Sequence, residues 1–233
     1  MEPAPGGRNG VLGYLGVRRA IGYLGIALPI ILPTVTWIFG GPGGLAHGPV
    51  FQYSLSAYYY TGIGGSVFVG TIFAIGIFLL CYRYRRLDGM LGNVACVSAV
   101  LLALFPTAQD GVKATWSAGY IHLIAATIFL ITLALICAFV FTLGDTAIRT
   151  ERKRQRNRVY YSCAAVMTLA LIGALTGQFL GTWPYTLLVS ETLAVWAFGF
   201  AWTVKGGVLL ADTRQPRRRH RMLTWWRRPD RAR

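Results

Sequence analysis

The sequence predicts an all-α, polytopic membrane protein with six transmembrane helices and both termini in the cytoplasm. Three observations predict it. Of 233 residues, 55% are hydrophobic and 13% are charged, about half the charged share of soluble domains. The apolar residues fall in blocks near 20 residues long, which at about 1.5 Å rise per residue match a hydrocarbon core of about 30 Å. The basic residues cluster between alternate blocks, a pattern that an even number of spans explains.

The first block runs from Ala20 to about Phe39 and contains Pro29 and Pro33. A spanning helix tolerates proline when neighbours satisfy the freed carbonyls, so a kink is expected. Its apolar run exceeds a signal-peptide core, and no convincing small-residue cleavage site follows. The second block runs from about Thr61 to Tyr82, the third from Gly89 to Pro106 and the fourth from about Ala118 to Leu143. The fifth runs from about Val159 to Gly181 and the sixth from about Pro184 to Val204. The chain therefore divides into a cytoplasmic N-terminal segment (1–19), a six-helix bundle (20–206) and a basic tail (207–233).

Orientation follows from Lys and Arg, which collect on cytoplasmic loops. With six spans, 22 of the 23 basic residues share one face, and Lys113 falls on the other. That face is expected to be cytoplasmic, in the cell (inner or plasma) membrane. Aromatic residues form two sets near the ends of the blocks, as amphipathic rings at headgroup level should. Trp37, Tyr58, Trp183 and Tyr185 belong to the outer set, and Tyr82, Tyr160, Tyr161 and Trp202 to the inner one.

The net charge of +15 is a topology signal rather than a nucleic-acid footprint, because no binding module accompanies it. The 149–158 segment reads as a solvated positive-inside loop. In the tail, Arg217, Arg218, Arg219 and Arg221 precede Trp225, Trp226, Arg227 and Arg228. Such a tail is expected to lie on anionic inner-leaflet lipid, with the tryptophans at the interface; the competing reading is a solvated tail that only enforces topology. Cys81, Cys96, Cys137 and Cys163 lie in or beside spans without a C-x-x-C pair and read as small packing residues. Gly173, Gly177 and Gly181 form a small-residue stripe on the fifth span, as Ser66, Gly70 and Ala74 do on the second. Either stripe reads as packing within the bundle or as a homodimer seam.

Ionisable groups in hydrocarbon need a reason, since a carboxylate at a helix centre costs roughly 2.5–3.5 kcal/mol. Glu191 lies in the sixth span toward its outer end, His122 opens the fourth, Gln178 is near the outer end of the fifth and Asp110 follows the third. Ser56 and Tyr59 immediately precede the second span. These groups predict an outward-opening polar pocket with His122 and Glu191 as its ionisable pair; the plainer reading is a buried hydrogen-bonded pair that fixes helix register. One intramembrane histidine does not supply a zinc or haem ligand set, so no metal or cofactor is expected.

Several short motifs occur in a recognisable order: Tyr53-Ser-Leu-Ser-Ala-Tyr58 before the second span, Val67-Phe-Val-Gly70 at its start, Leu104-Phe-Pro-Thr107 leaving the third, His122-Leu-Ile-Ala-Ala126 in the fourth and Glu191-Thr-Leu-Ala-Val-Trp196 in the sixth. In this order the chain resembles the Frag/DRAM/Sfk family of six-helix membrane proteins and related bacterial membrane families of unknown function. Ala57 follows Ser56 where that family usually has an acidic residue. The resemblance implies a lipid-linked role without a defined chemical mechanism, and the leading reading is a non-enzymatic membrane protein with a lipid-linked or scaffold role. A small-molecule or ion transporter and a membrane-embedded hydrolase built on Ser56, His122 and Asp110 are the alternatives. A more distant likeness to seven-helix zinc hydrolases lacks its histidine at Tyr60.

Overall fold

The computed structural model describes residues 6–39, 50–82, 86–108, 116–143, 151–180 and 183–211. The described chain is helical and without strands. Its helices are α1 (Gly6–Phe39), α2 (Ile63–Leu80), α3 (Arg86–Leu104), α4 (Trp116–Leu135), α5 (Glu151–Leu180) and α6 (Thr186–Lys205). A 3-10 turn at Ser56–Tyr60 precedes α2, and a π-helical turn at Ile136–Val140 continues α4. Six helices are long and apolar enough to cross a membrane, and the chain is a multi-pass helical membrane protein.

Each helix packs on its neighbours in sequence, and α6 returns to pack on α1. The six thus close a ring, as short connections between antiparallel helices favour. Ile75, Phe129, Leu133, Met167 and Phe198 are buried in its core. Large apolar side chains also face outward on every helix, among them Ile30, Ile77, Val97, Ile131, Leu169 and Phe200. A soluble monomer rarely exposes such a girdle, whereas lipid accepts it.

Two helices extend beyond their apolar blocks. α1 begins at Gly6, and Pro29 and Pro33 lie inside it. α5 begins at Glu151, so residues 151–158, expected as loop, are its first two turns. Arg, Lys, Gln and Glu are good helix formers, which a hydropathy reading ignores.

One end of the bundle is basic. There the Arg19 side chain donates to the Gly206 carbonyl at 3.1 Å, Arg156 to the Leu210 carbonyl at 3.2 Å and Lys205 to the Phe141 carbonyl at 3.2 Å. The start of α1 and the end of α6 therefore lie at the same end. Tyr82, Phe141, Tyr160 and Trp202 pack edge to face there, with centroids 4.9–6.4 Å apart. Tyr82, Tyr160 and Trp202 were expected in an interfacial belt; they are instead buried, while Tyr161 beside them is exposed. A polar tip does not force a ring to the interface when the bundle offers other rings for edge-to-face packing.

The α1–α6 seam is tight. A Cβ on Gly199 would stand 2.8 Å from the Ile26 nitrogen and 2.9 Å from the Gly22 oxygen. The Trp196 indole donates to the Ile26 carbonyl at 3.1 Å along the same seam. Gly173 and Gly177 of the α5 stripe face α6 of the same chain, where added Cβ atoms would meet Ser190 at 2.8 Å and Thr186 at 3.1 Å. Gly181 lies outside the described residues. On α2, Ser66 and Gly70 face outward, and a Cβ at Gly70 would meet nothing within 4 Å.

Candidate functional site

At the end opposite the basic one, the connection into α2 folds down onto the helices. Ser54, Leu55, Ser56, Ala57 and Tyr58 are all buried. A buried loop must satisfy its own backbone, and this one does so through side chains. Ser54 Oγ accepts from the Ala57 N–H at 3.0 Å, and the Tyr58 hydroxyl donates to the Val50 carbonyl at 2.9 Å. Burial pushes the Tyr58 hydroxyl above its ordinary pKa, partly opposed by the Gln52 N–H that it accepts, so it remains a donor. The Thr36 and Thr61 hydroxyls lie 3.3 Å apart and tie the loop to α1. The Tyr60 hydroxyl donates to the Thr107 carbonyl at 2.7 Å and ties it to the exit of α3.

The tie to α6 is Glu191. Its Oε2 accepts from the Leu55 N–H at 2.6 Å, and the Ser56 N–H lies beside the carboxylate. Leu55 and Ser56 open the 3-10 turn, whose first N–H groups have no partner within the turn. Glu191, in the second turn of α6, supplies it.

His122 does the converse at the end of α3. Pro106 lacks an N–H, so the Leu102 carbonyl has no donor four residues on. The His122 ring stands beside that carbonyl, and its Nδ1 lies 2.7 Å from the Phe105 carbonyl. A carbonyl only accepts, so Nδ1 carries a proton, and in the neutral ring Nε2 is an acceptor. Gly119, one turn earlier on α4, lets the exit segment approach, since a Cβ there would stand 2.9 Å from the Ala108 Cβ.

These pins surround a cavity of about 310 Å³. Ser56, His122, Gln178 and Glu191 line it, joined by Thr107 and Tyr120, against apolar Leu123, Ala126, Phe179 and Leu187. Gln178 and Phe179 are exposed at its rim. Four of the six expected pocket residues thus come together from four separate elements. Tyr59 does not line the cavity; its ring packs on Tyr60, with centroids 5.4 Å apart. Asp110, along with the tail residues Arg217, Arg218, Arg219, Arg221, Trp225, Trp226, Arg227 and Arg228, lies outside the described residues.

His122 and Glu191 share the cavity, yet their hydrogen bonds go to backbone rather than to each other. The Ser56 hydroxyl lies 3.1 Å from that of Ser54. Among the described residues, no three His, Cys, Asp or Glu side chains gather as a metal site would require. Gly119 was not singled out from the sequence, and Thr107 and Tyr120 were read as part of a motif and of the outer aromatic set rather than as pocket residues.

No protein-family profile, curated protein or solved structure matches the chain.

Proposed function

We propose that this protein lies in the cell (inner or plasma) membrane with both termini cytoplasmic, and that its outward cavity binds the polar head of a lipid or a small polar ligand without chemically altering it. The observation that carries this reading is the gathering of Ser56, His122, Gln178 and Glu191 around one cavity otherwise lined by apolar residues. A small pocket with apolar walls and a few convergent polar groups is the usual form of a ligand site. Among the described lining residues there is no Lys or Arg, whereas carboxylate, hydroxyl and amide oxygens are present. That lining suits a neutral or cationic head group rich in hydrogen-bond donors. The resemblance to Frag/DRAM/Sfk proteins agrees with a lipid-linked role.

The hydrolase reading is less well supported, because the Ser56 hydroxyl pairs with that of Ser54 rather than with the His122 ring, which would have to take its proton. A transporter needs a polar path to the opposite face, and Phe129, Leu133 and Ile136 are buried along α4 beyond the cavity.

The test is native mass spectrometry of protein extracted in gentle detergent. The wild type should retain a lipid or small polar adduct that the His122→Gln/Glu191→Gln double variant loses while keeping its fold. Full retention by a folded double variant would remove the pair from any ligand role.

A further inference from the structure

A second cavity, of about 350 Å³, lies at the basic end. Its lining brings Arg18 from α1, Lys153 and Arg156 from α5 and Lys205 from the end of α6 around one space, with Tyr160 and Phe141 as an aromatic wall. Each of the other three cations lies within electrostatic reach of Lys205. Residues 153, 156 and 160 recur at helical spacing on one face of α5, and that face is partly or fully buried. Arg152, Arg154 and Arg158, on the same two turns, are exposed. The basic cluster is therefore divided between a solvent-facing set and an inward-facing set.

The inward set is held in place. Arg156 donates to the Leu210 carbonyl, and Lys205 donates to the Phe141 carbonyl while its Nζ lies 5.1 Å from the centre of the Phe141 ring. Phe141 closes the π-helical turn by donating its N–H to the Ile136 carbonyl at 3.0 Å, and such turns recur at functional sites. Among the described residues, Asp88, buried in the first turn of α3, is the carboxylate within electrostatic reach of Lys205. The whole chain offers 8 acidic residues against 23 basic ones.

We propose that this interhelical pocket binds a phosphate-bearing anion, with the guanidinium and ammonium groups of Arg18, Lys153, Arg156 and Lys205 around the phosphate oxygens. Arg meets phosphate with a planar fork and Lys with a compact charge. At the depth where spans meet the headgroup region, the natural carrier of that phosphate is an anionic phospholipid; a soluble phosphate is the other source of the same chemistry. The site is separate from the outer cavity, and its failure would leave the outer reading untouched.

The test uses the full chain in neutral-detergent micelles, titrated with dioctanoyl phosphatidylglycerol and followed by thermophoresis. Parallel arms use dioctanoylglycerol, which has the same chains without phosphate, and inorganic phosphate alone. The wild type should bind the phospholipid and not the glyceride. Lys153→Gln/Arg156→Gln should weaken binding about 25-fold, or about five-fold for each surface charge removed. Arg152→Gln/Arg158→Gln removes the same charge from the exposed face and should change binding little. Lys153→Gln alone leaves the Arg156 bond to Leu210 in place and should cost about five-fold; it decides the matter if the double variant melts. Displacement of the lipid by inorganic phosphate alone would assign the pocket to a soluble phosphate, and failure to displace it would assign it to the lipid. Equal losses in the two double variants, or no loss in folded Lys153→Gln, would overturn the site in favour of diffuse surface attraction.

Discussion

Replacing Gly199 with alanine tests the packing that closes the ring. The new Cβ would stand 2.8 Å from the Ile26 nitrogen and 2.9 Å from the Gly22 oxygen, where carbon contacts are comfortable at about 3.5–4.0 Å. Both obstacles are backbone, so no rotamer change relieves them. α1 and α6 must separate by more than half an ångström, and a gap of that size forfeits about a quarter or more of each contact's dispersion energy along the seam. The Trp196 bond to the Ile26 carbonyl, already 3.1 Å, would stretch as well. Overpacking of this kind costs about 1–3 kcal/mol, offset by up to about 1 kcal/mol because alanine is the better helix former. The expected net loss is about 1–2 kcal/mol. Gly70→Ala is the matched control: its Cβ would meet nothing within 4 Å, so the propensity gain of up to about 1 kcal/mol stands alone. Unfolding of the purified protein in mixed micelles of rising SDS content reads both. If Gly199→Ala unfolds at the same SDS fraction as Gly70→Ala or a higher one, the α1–α6 contact is not as described.

Glu191→Leu should destabilise the protein by about 1–3 kcal/mol, because the Leu55 N–H loses its acceptor, whereas Glu191→Gln keeps an acceptor and should cost much less; equal SDS midpoints for the two would contradict the pinning role. His122→Leu should lower stability by about 1–3 kcal/mol by stranding the carbonyls at the end of α3, with His122→Gln milder in the same assay. Burial raises the Tyr58 pKa from its model-compound value of 10.0, so the folded state holds a proton that the unfolded chain releases; stability is intact below about pH 10 and falls above it. Tyr58→Phe should flatten that alkaline fall, although Tyr60, raised in the same direction, keeps part of it, and an unchanged slope in pH-dependent melts would refute the assignment.

The spans were legible because a hydrocarbon slab demands long apolar runs, and the meeting of Arg19 with the end of α6 was legible because basic residues sort to one side. Helix that leaves the slab was not. Residues 151–158 look like loop to hydropathy, yet continue α5 and turn Lys153 and Arg156 inward. Ser56, His122, Gln178 and Glu191 stood out as polar groups in or beside apolar blocks, and the structure gathers them. Their bonds did not stand out, because Glu191 and His122 serve backbone groups orphaned by a 3-10 turn and by Pro106, and such orphans have no side-chain signature. Trp202 and Tyr82 illustrate a different limit: an aromatic residue near a span end reads the same whether it meets headgroups or, as here, other rings at 5.0 Å. Gly22 carries no sign of its partner either, since Gly199 lies more than 170 residues away.

The central claim is a polar cavity open to the outer face of the membrane. Ala126 lines it without pinning anything. In a background with Cys81, Cys96, Cys137 and Cys163 replaced by alanine, Ala126→Cys should react with a membrane-impermeant maleimide added to intact cells. Reaction only after the membrane is permeabilised would put the cavity on the wrong side, and absence of reaction in a folded protein under both conditions would close it.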